Sequence, residues 1–195
     1  MRTATVTALL ACASLPLAAA PFVRDDIITR PTPEAFSVCQ DQGCRTLSTQ
    51  SLDDGQWQTV RELFGRPGDA AAERRAIARV IARMEQWMGE RTGTDADRPG
   101  TFAGLGRAGQ MDCIDEATNT TTYLRLLEGT GLLVHHRVRD PATRINLLAW
   151  PHTTAVIEDS QGRRFAVDSW FEANGEPPHI VPLEQWRRGW KPGRP

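Results

Sequence analysis

The chain is short of several things, and each shortage narrows its class. Beyond residue 20 no apolar run approaches the ~18 residues that a membrane helix needs, so no transmembrane helix is expected in the mature chain. Neither sign of charge dominates: 23 Lys and Arg stand against 24 Asp and Glu, and no basic footprint marks a nucleic-acid partner. Cysteine is scarce, four in 195 residues, and the pair Cys39 and Cys44 has no second pair to complete a zinc site. Two ligand motifs are incomplete. Gly104-Leu105-Gly106-Arg107-Ala108-Gly109 matches the GxGxxG dinucleotide pattern, but the polar residues Thr94 to Gly100 before it cannot supply the buried strand that pattern requires. Asp95 and Asp97 begin a calcium-like spacing that lacks a glutamate at the twelfth position. No metal and no cofactor is expected, and the glycines are assigned to close backbone approach near Cys113.

What is present begins with a leader. Residues 1–20 carry Arg2, an apolar stretch from Ala8 to Leu17 and the small residues Ala18, Ala19 and Ala20, the pattern of a cleavable signal peptide. Export to the periplasm is expected; an uncleaved N-terminal anchor is the alternative, and Leu9-Leu10-Ala11-Cys12 sits too early for a good lipobox. Loss of the leader removes Cys12 and leaves Cys39, Cys44 and Cys113. In an oxidising compartment Cys39 and Cys44 can pair across Gln40 to Gly43, leaving Cys113 free; the alternative is three buried, reduced thiols. Residues 21–55 read as an N-terminal arm with that disulfide, and residues 56–190 as the main domain.

Within that domain, Gln56 to Gly65 has a short helical pattern. Ile77, Val80, Ile81, Met84, Trp87 and Met88 recur at three- and four-residue steps across Ala70 to Arg91, which predicts an amphipathic packing helix. A third helix is expected from Cys113 to about Glu128, capped by Asp112 with Asp115 three residues on, and stopped by Gly129-Thr130-Gly131. Its apolar stripe is Ile114, Ala117, Thr121, Leu124 and Leu127. Strands are then expected over Leu132 to Val138, Leu147 to Glu158 and Arg163 to Trp170, with a polar connection over Arg139 to Ile145. A helix followed by antiparallel strands is an α+β arrangement.

Cys113 opens the helix after the glycine-rich loop. Free N–H groups and the positive end of the helix dipole favour its thiolate by up to ~2 kcal/mol, but Asp112 and Asp115 oppose it. Activation is therefore expected from a base elsewhere, an imidazolium that stabilises the thiolate. Asp159-Ser160-Gln161-Gly162 suits a three-residue hairpin loop, Ser160 to Gly162, with Gly162 left-handed. That register sets Asp159 opposite Arg163 and Thr154 opposite Asp168, and it places His152 on the face of Asp168 as a diagonal neighbour. Cys113, His152 and Asp168 then take the roles of nucleophile, base and orienter. Gln110 or the backbone N–H of Cys113 is the candidate oxyanion donor. His135 and His136 offer a rival base, but adjacent strand residues point to opposite faces. His179 lies in a proline-rich turn and reads as structural.

On these residues the chain resembles the transglutaminase-like superfamily, including its bacterial cysteine peptidases. The resemblance spans roughly Gly109 to Trp170: Asp112-Cys113 opening a helix, His152 beginning one strand and Asp168 on the next. It implies a papain-like core with the nucleophile helix packed on an antiparallel sheet, and the roles just given for Cys113, His152 and Asp168. The arylamine N-acetyltransferases share the constellation with different spacing and longer chains. NlpC-type cell-wall peptidases also begin with Asp-Cys, but their third residue is usually a histidine. Asp-Cys-Ile-Asp-Glu with Val-Asp-Ser-Trp is also similar to uncharacterised exported bacterial proteins. The expected function is an exported thiol-dependent acyl-transfer enzyme, a cysteine peptidase, amidase or transglutaminase-like enzyme, whose partner is a protein or peptide substrate of the cell envelope. The alternative is a non-catalytic envelope binding module that keeps this fold and presents Trp150, Trp170, Trp186 and Trp190 as a contact surface.

Overall fold

The computed structural model describes residues 24–100, 104, 106–145 and 151–193. The expected leader, the first residues of the second expected strand (147–150) and Trp150 lie outside the described residues. The elements in order are a hairpin of β1 (Phe36–Gln40) and β2 (Thr46–Gln50), and the helices α1 (Asp54–Phe64), α2 (Ala70–Thr92) and α3 (Cys113–Gly129). Strands β3 (His136–Arg144), β4 (His152–Asp159), β5 (Arg164–Asp168) and β6 (His179–Pro182) follow, then the short α4 (Leu183–Arg187). The class is α+β, with a four-stranded sheet in the order β3-β4-β5-β6 and every pair antiparallel. Among the described residues no helix is long and apolar enough to cross a membrane.

Local chemistry sets the helix ends. Asp53 and Gln56 form a reciprocal capping box on α1, Asp69 caps α2 through Ala72 N, and Gly93 ends α2 in the left-handed conformation. The stripe read on α2 is buried: Ile77, Val80, Ile81, Met84 and Met88 are each at most 1% exposed. They join Tyr123, Leu124 and Leu127 of α3, Phe36 and Val38 of β1, and Ile157 and Val167 of the sheet in one core.

The third helix differs from the single-stripe expectation. Thr118, Asn119, Thr120, Thr121 and Thr122 are buried along with the apolar residues, because β1, α2 and the sheet all pack against α3. A central helix has little solvent face, so several of its polar groups turn to partners inside, while Thr122 Oγ1 is buried with none among the described residues. Thr121 Oγ1 donates to Ala117 O (2.6 Å) and Thr120 Oγ1 pairs with Ser169 Oγ (3.0 Å).

Three strand boundaries also move. Val134 and His135 do not begin β3; their N–H groups donate to the buried Glu73 carboxylate, which turns the chain before pairing starts. Arg139 to Arg144, expected as a connection, belongs to β3, with a register shift between Arg139 and Ala142. Pro141, which lacks an N–H, is tolerated there because β3 is an edge strand. β6 begins at His179, so the proline-rich turn assigned to that histidine ends one residue earlier. The β1–β2 hairpin was not anticipated, although Phe36 to Gln40 and Thr46 to Gln50 flank a turn-rich Asp41-Gln42-Gly43.

The hairpin between β4 and β5 has the expected register. Glu158 pairs with Arg164 and Ala155 with Val167, which carries Thr154 opposite Asp168. Gly162 has φ 75° and its N–H donates to Asp159 O at 2.9 Å. A Cβ at Gly162 would meet nothing within 4 Å, so the demand for glycine is one of backbone conformation alone. Gly162→Val is expected to lower stability by about 1–2 kcal/mol, read as a fall in the urea midpoint, while Gly162→Asn keeps most of it. Equal midpoints for Val and Gly would show that the loop does not need the left-handed residue.

Candidate active site

Cys113 is the first residue of α3. Asp112 Oδ1 accepts from Ile114 N and Asp115 N, each at 3.0 Å, and Asp115 Oδ2 accepts from Asp112 N at 3.3 Å, which completes the anticipated capping box. Among the described residues Cys113 is the free cysteine, while Cys39 and Cys44 are joined as a disulfide. The Cys113 sulfur lies 3.8 Å from Pro151 O, and the Thr153 N–H points at it. It therefore packs on the backbone on either side of His152.

Burial pushes the Cys113 thiol up to about 11; the Thr153 N–H works against this, and the charges of Asp112 and Asp168 add to it. Burial thus works against the thiolate that the ion-pair expectation calls for. A cysteine only 7% exposed loses the solvation that a thiolate needs, and burial outweighs the favourable helix end.

His152 and Asp168 meet as the hairpin register requires, with Nε2 2.7 Å from Asp168 Oδ2. Both are buried, at 5% and 2% exposure. The other ring nitrogen, Nδ1, is buried with no hydrogen-bond partner among the described residues. Such a group is costly unless it serves something that arrives later. Rings fix the imidazole from several sides: Trp170 at 4.7 Å, Phe171 at 5.3 Å and Trp186 at 5.4 Å between centroids.

Sequence reasoning missed two residues here. Trp186 Nε1 donates to the same Asp168 oxygen at 2.6 Å, so that carboxylate is held from β4 and from α4 together. Arg144 stacks its guanidinium 4.4 Å above the Trp186 ring and donates to Trp186 O and Trp190 O. No sequence spacing signals either contact, because α4 returns to the sheet only through β6. Trp170 and Trp186 are 8% and 0% exposed, so they are packing residues and do not supply the contact surface considered for a binding module.

Gln110 is placed otherwise than expected. Its Nε2 donates to Asp97 Oδ1, Arg98 O and Met111 O, and the residue is 4% exposed. The amide is a strut between the preceding loop and α3, with its donors already spent. The glycines beside it act by close approach: a Cβ on Gly109, at φ 78°, would stand 2.3 Å from Gly93 O. Asp95 is exposed and Asp97 buried, so these two do not converge on a shared ion. His136 Nδ1 pairs with Glu73 at 2.9 Å while His135 reaches Pro67 O, and the two rings part. Among the described residues no group of three or more His, Cys, Asp or Glu could hold a metal ion.

Comparison of the chain with protein-family models, curated proteins and solved structures gave no match.

A layer of acids that sequence reading did not identify lies behind the site. Glu85 of α2, Asp97 and Glu116 of α3 are all buried. Burial raises Glu85 to about 8 and Asp97 to about 6. Glu116 is raised well above the carboxylate range by burial and by the charges of Glu85 and Asp97. A carboxyl that holds its proton more tightly folded than unfolded adds stability in full below the ordinary carboxyl range. That stability is lost as pH rises through the folded values. Stability should therefore fall between pH 5 and pH 9 by about 1.4 kcal/mol per pH unit for each carboxyl titrating, and each kcal/mol should move Tm by roughly 2–4 °C. Thermal unfolding across that range checks this; Glu85→Gln should flatten the slope, and a Tm that rises toward pH 9 would contradict it.

Proposed function

We propose that this chain is an exported thiol-dependent acyl-transfer enzyme acting on amide bonds of a protein or peptide, with Cys113, His152 and Asp168 as nucleophile, base and orienter. One observation carries the reading: His152 gives Nε2 to Asp168 at 2.7 Å and keeps a buried, unpartnered Nδ1, while the sulfur rests on the backbone atoms flanking that histidine. A buried proton acceptor without a partner, on the histidine whose flanking backbone the thiol touches, supports general-base activation of that thiol. The α+β order, a central helix opening on the nucleophile and then antiparallel strands, supports a papain-like or transglutaminase-like core. The Cys39–Cys44 disulfide supports export.

In this mechanism the thiol stays protonated until substrate arrives. As Sγ attacks the amide carbonyl, its proton passes to His152 Nδ1, and Asp168 and the indole of Trp186 hold the ring and its charge in place. The tetrahedral oxyanion forms near the Cys113 N–H at the start of α3, where the helix dipole favours negative charge. Collapse of the intermediate breaks the C–N bond, and the imidazolium protonates the leaving amine. The resulting thioester passes its acyl group to water or to an amine acceptor.

The test is the pH dependence of Cys113 alkylation by iodoacetamide, followed by peptide mass. In the parent chain Cys113 should be the residue labelled. His152→Ala should slow labelling near pH 7.5 by about tenfold or more and leave a profile that rises only at alkaline pH, where the thiol ionises without help. Asp168→Asn should act in the same direction with smaller effect. If His152→Ala folds normally and leaves the profile unchanged, the triad fails and a binding role for this fold takes its place.

A further inference from the structure

The turn joining β1 to β2 has an unusual backbone. Four consecutive residues, Asp41, Gln42, Gly43 and Cys44, have φ of 63°, 63°, 66° and 56°, a left-handed run that residues other than glycine, asparagine and aspartate seldom adopt. The disulfide between Cys39 and Cys44 closes it. Successive N–H groups in such a run point to one side and make a concave anion cradle.

The cradle is filled by the residues around the nucleophile. Gln42 N and Cys44 N donate to the two oxygens of Asp115, each at 2.7 Å, and Gly43 N donates to Asp112 Oδ2 at 2.9 Å. One turn further along α3, Asn119 closes a two-way pair with Cys39: Oδ1 accepts from Cys39 N at 2.7 Å and Nδ2 donates to Cys39 O at 3.0 Å. Asp112, Asp115 and Asn119 are thus fastened to the disulfide loop, and Cys113 lies between the first two. The carboxylates that cap α3 do so with the loop already on their other lone pairs.

We propose that the Cys39–Cys44 loop is a positioning element of the Cys113 site, so that closure of the disulfide sets the nucleophile against His152 and the thiol chemistry is assembled only after oxidation. The inference rests on the thiol reading proposed above and adds its regulation. Closure proceeds by exchange with a disulfide oxidant. One thiolate attacks the oxidant's S–S bond to give a mixed disulfide, and the second thiolate displaces it. The oxidant leaves as a dithiol carrying the two electrons and, after protonation, the two protons lost by Cys39 and Cys44. In a reducing compartment the cradle is open, and Asp115 and Asp112 lose the N–H groups that hold the first turn of α3. Asp112, Asp115 and Asn119 are positioning residues in this scheme, acting through Cys113.

A double-mutant cycle on the full chain separates this from a merely structural disulfide. His152→Ala is introduced into the parent, into Cys39→Ser/Cys44→Ser and into Asp115→Asn, and the alkylation rate of Cys113 is followed against pH, with circular dichroism as the check on folding. The expected result is an effect of about tenfold near pH 7.5 in the parent, shrinking to less than about twofold in both altered backgrounds. If the double serine variant does not fold, Asp115→Asn, which keeps the disulfide, carries the comparison. The full effect of His152→Ala in a folded altered background overturns the clamp and leaves the triad standing. No effect in the parent removes the triad, and the clamp with it.

Discussion

One oxygen of Asp168 receives two donors, the imidazole of His152 from the neighbouring strand and the indole of Trp186 from the last helix. A buried carboxylate without such partners would protonate or be driven out toward water. With them it becomes the point at which β4, β5 and α4 agree on one arrangement. The Arg144 guanidinium stacked on Trp186 brings the end of β3 into the same unit. The histidine orientation is therefore over-determined, held by a hydrogen bond, three rings and the pleat of the sheet.

The second constraint is the position of α3. It is a helix whose polar residues are largely buried, and it carries Cys113 at one end and Glu116 one turn later. Glu116 must share its surroundings with Glu85 and Asp97, and burial keeps all three toward their protonated forms. An apolar replacement would pack more simply, so this acid layer lowers stability at alkaline pH. The Cys113 thiol in the same helix is governed by the same physics: removal from water disfavours its charged form.

Much of this was legible in the sequence where the determining contacts are local. Asp112 and Asp115 announce the start of α3, the spacing of Ile77 to Met88 announces α2, and Gly162 fixes a loop length from which the approach of His152 to Asp168 follows by counting. Long-range choices were not legible. Nothing near Gln110 says that its amide will turn inward to Asp97, and nothing near Trp186 says that it will meet a carboxylate eighteen residues earlier. The boundary of β3 was misread because Asp140 and Pro141 carry the composition of a turn, and only the sheet order reveals that an edge strand can hold them. The stripe assigned to α3 is buried at Ala117, Thr121, Leu124 and Leu127, but periodicity reports that one face and is silent about the polar residues buried on the others.

The register shift and Pro141 on β3 bear on whether another chain can add to the sheet. An open sheet edge invites strand addition, in which an incoming chain is read through its main-chain hydrogen bonds. On this edge the missing N–H of Pro141 and the shifted pairing between Arg139 and Ala142 interrupt the row of donors and acceptors that an added strand would use. A second copy of the chain meets the same interruption. The β3 edge is thereby a poor template for sheet extension, a device that keeps this end of the four-stranded sheet from pairing with another chain.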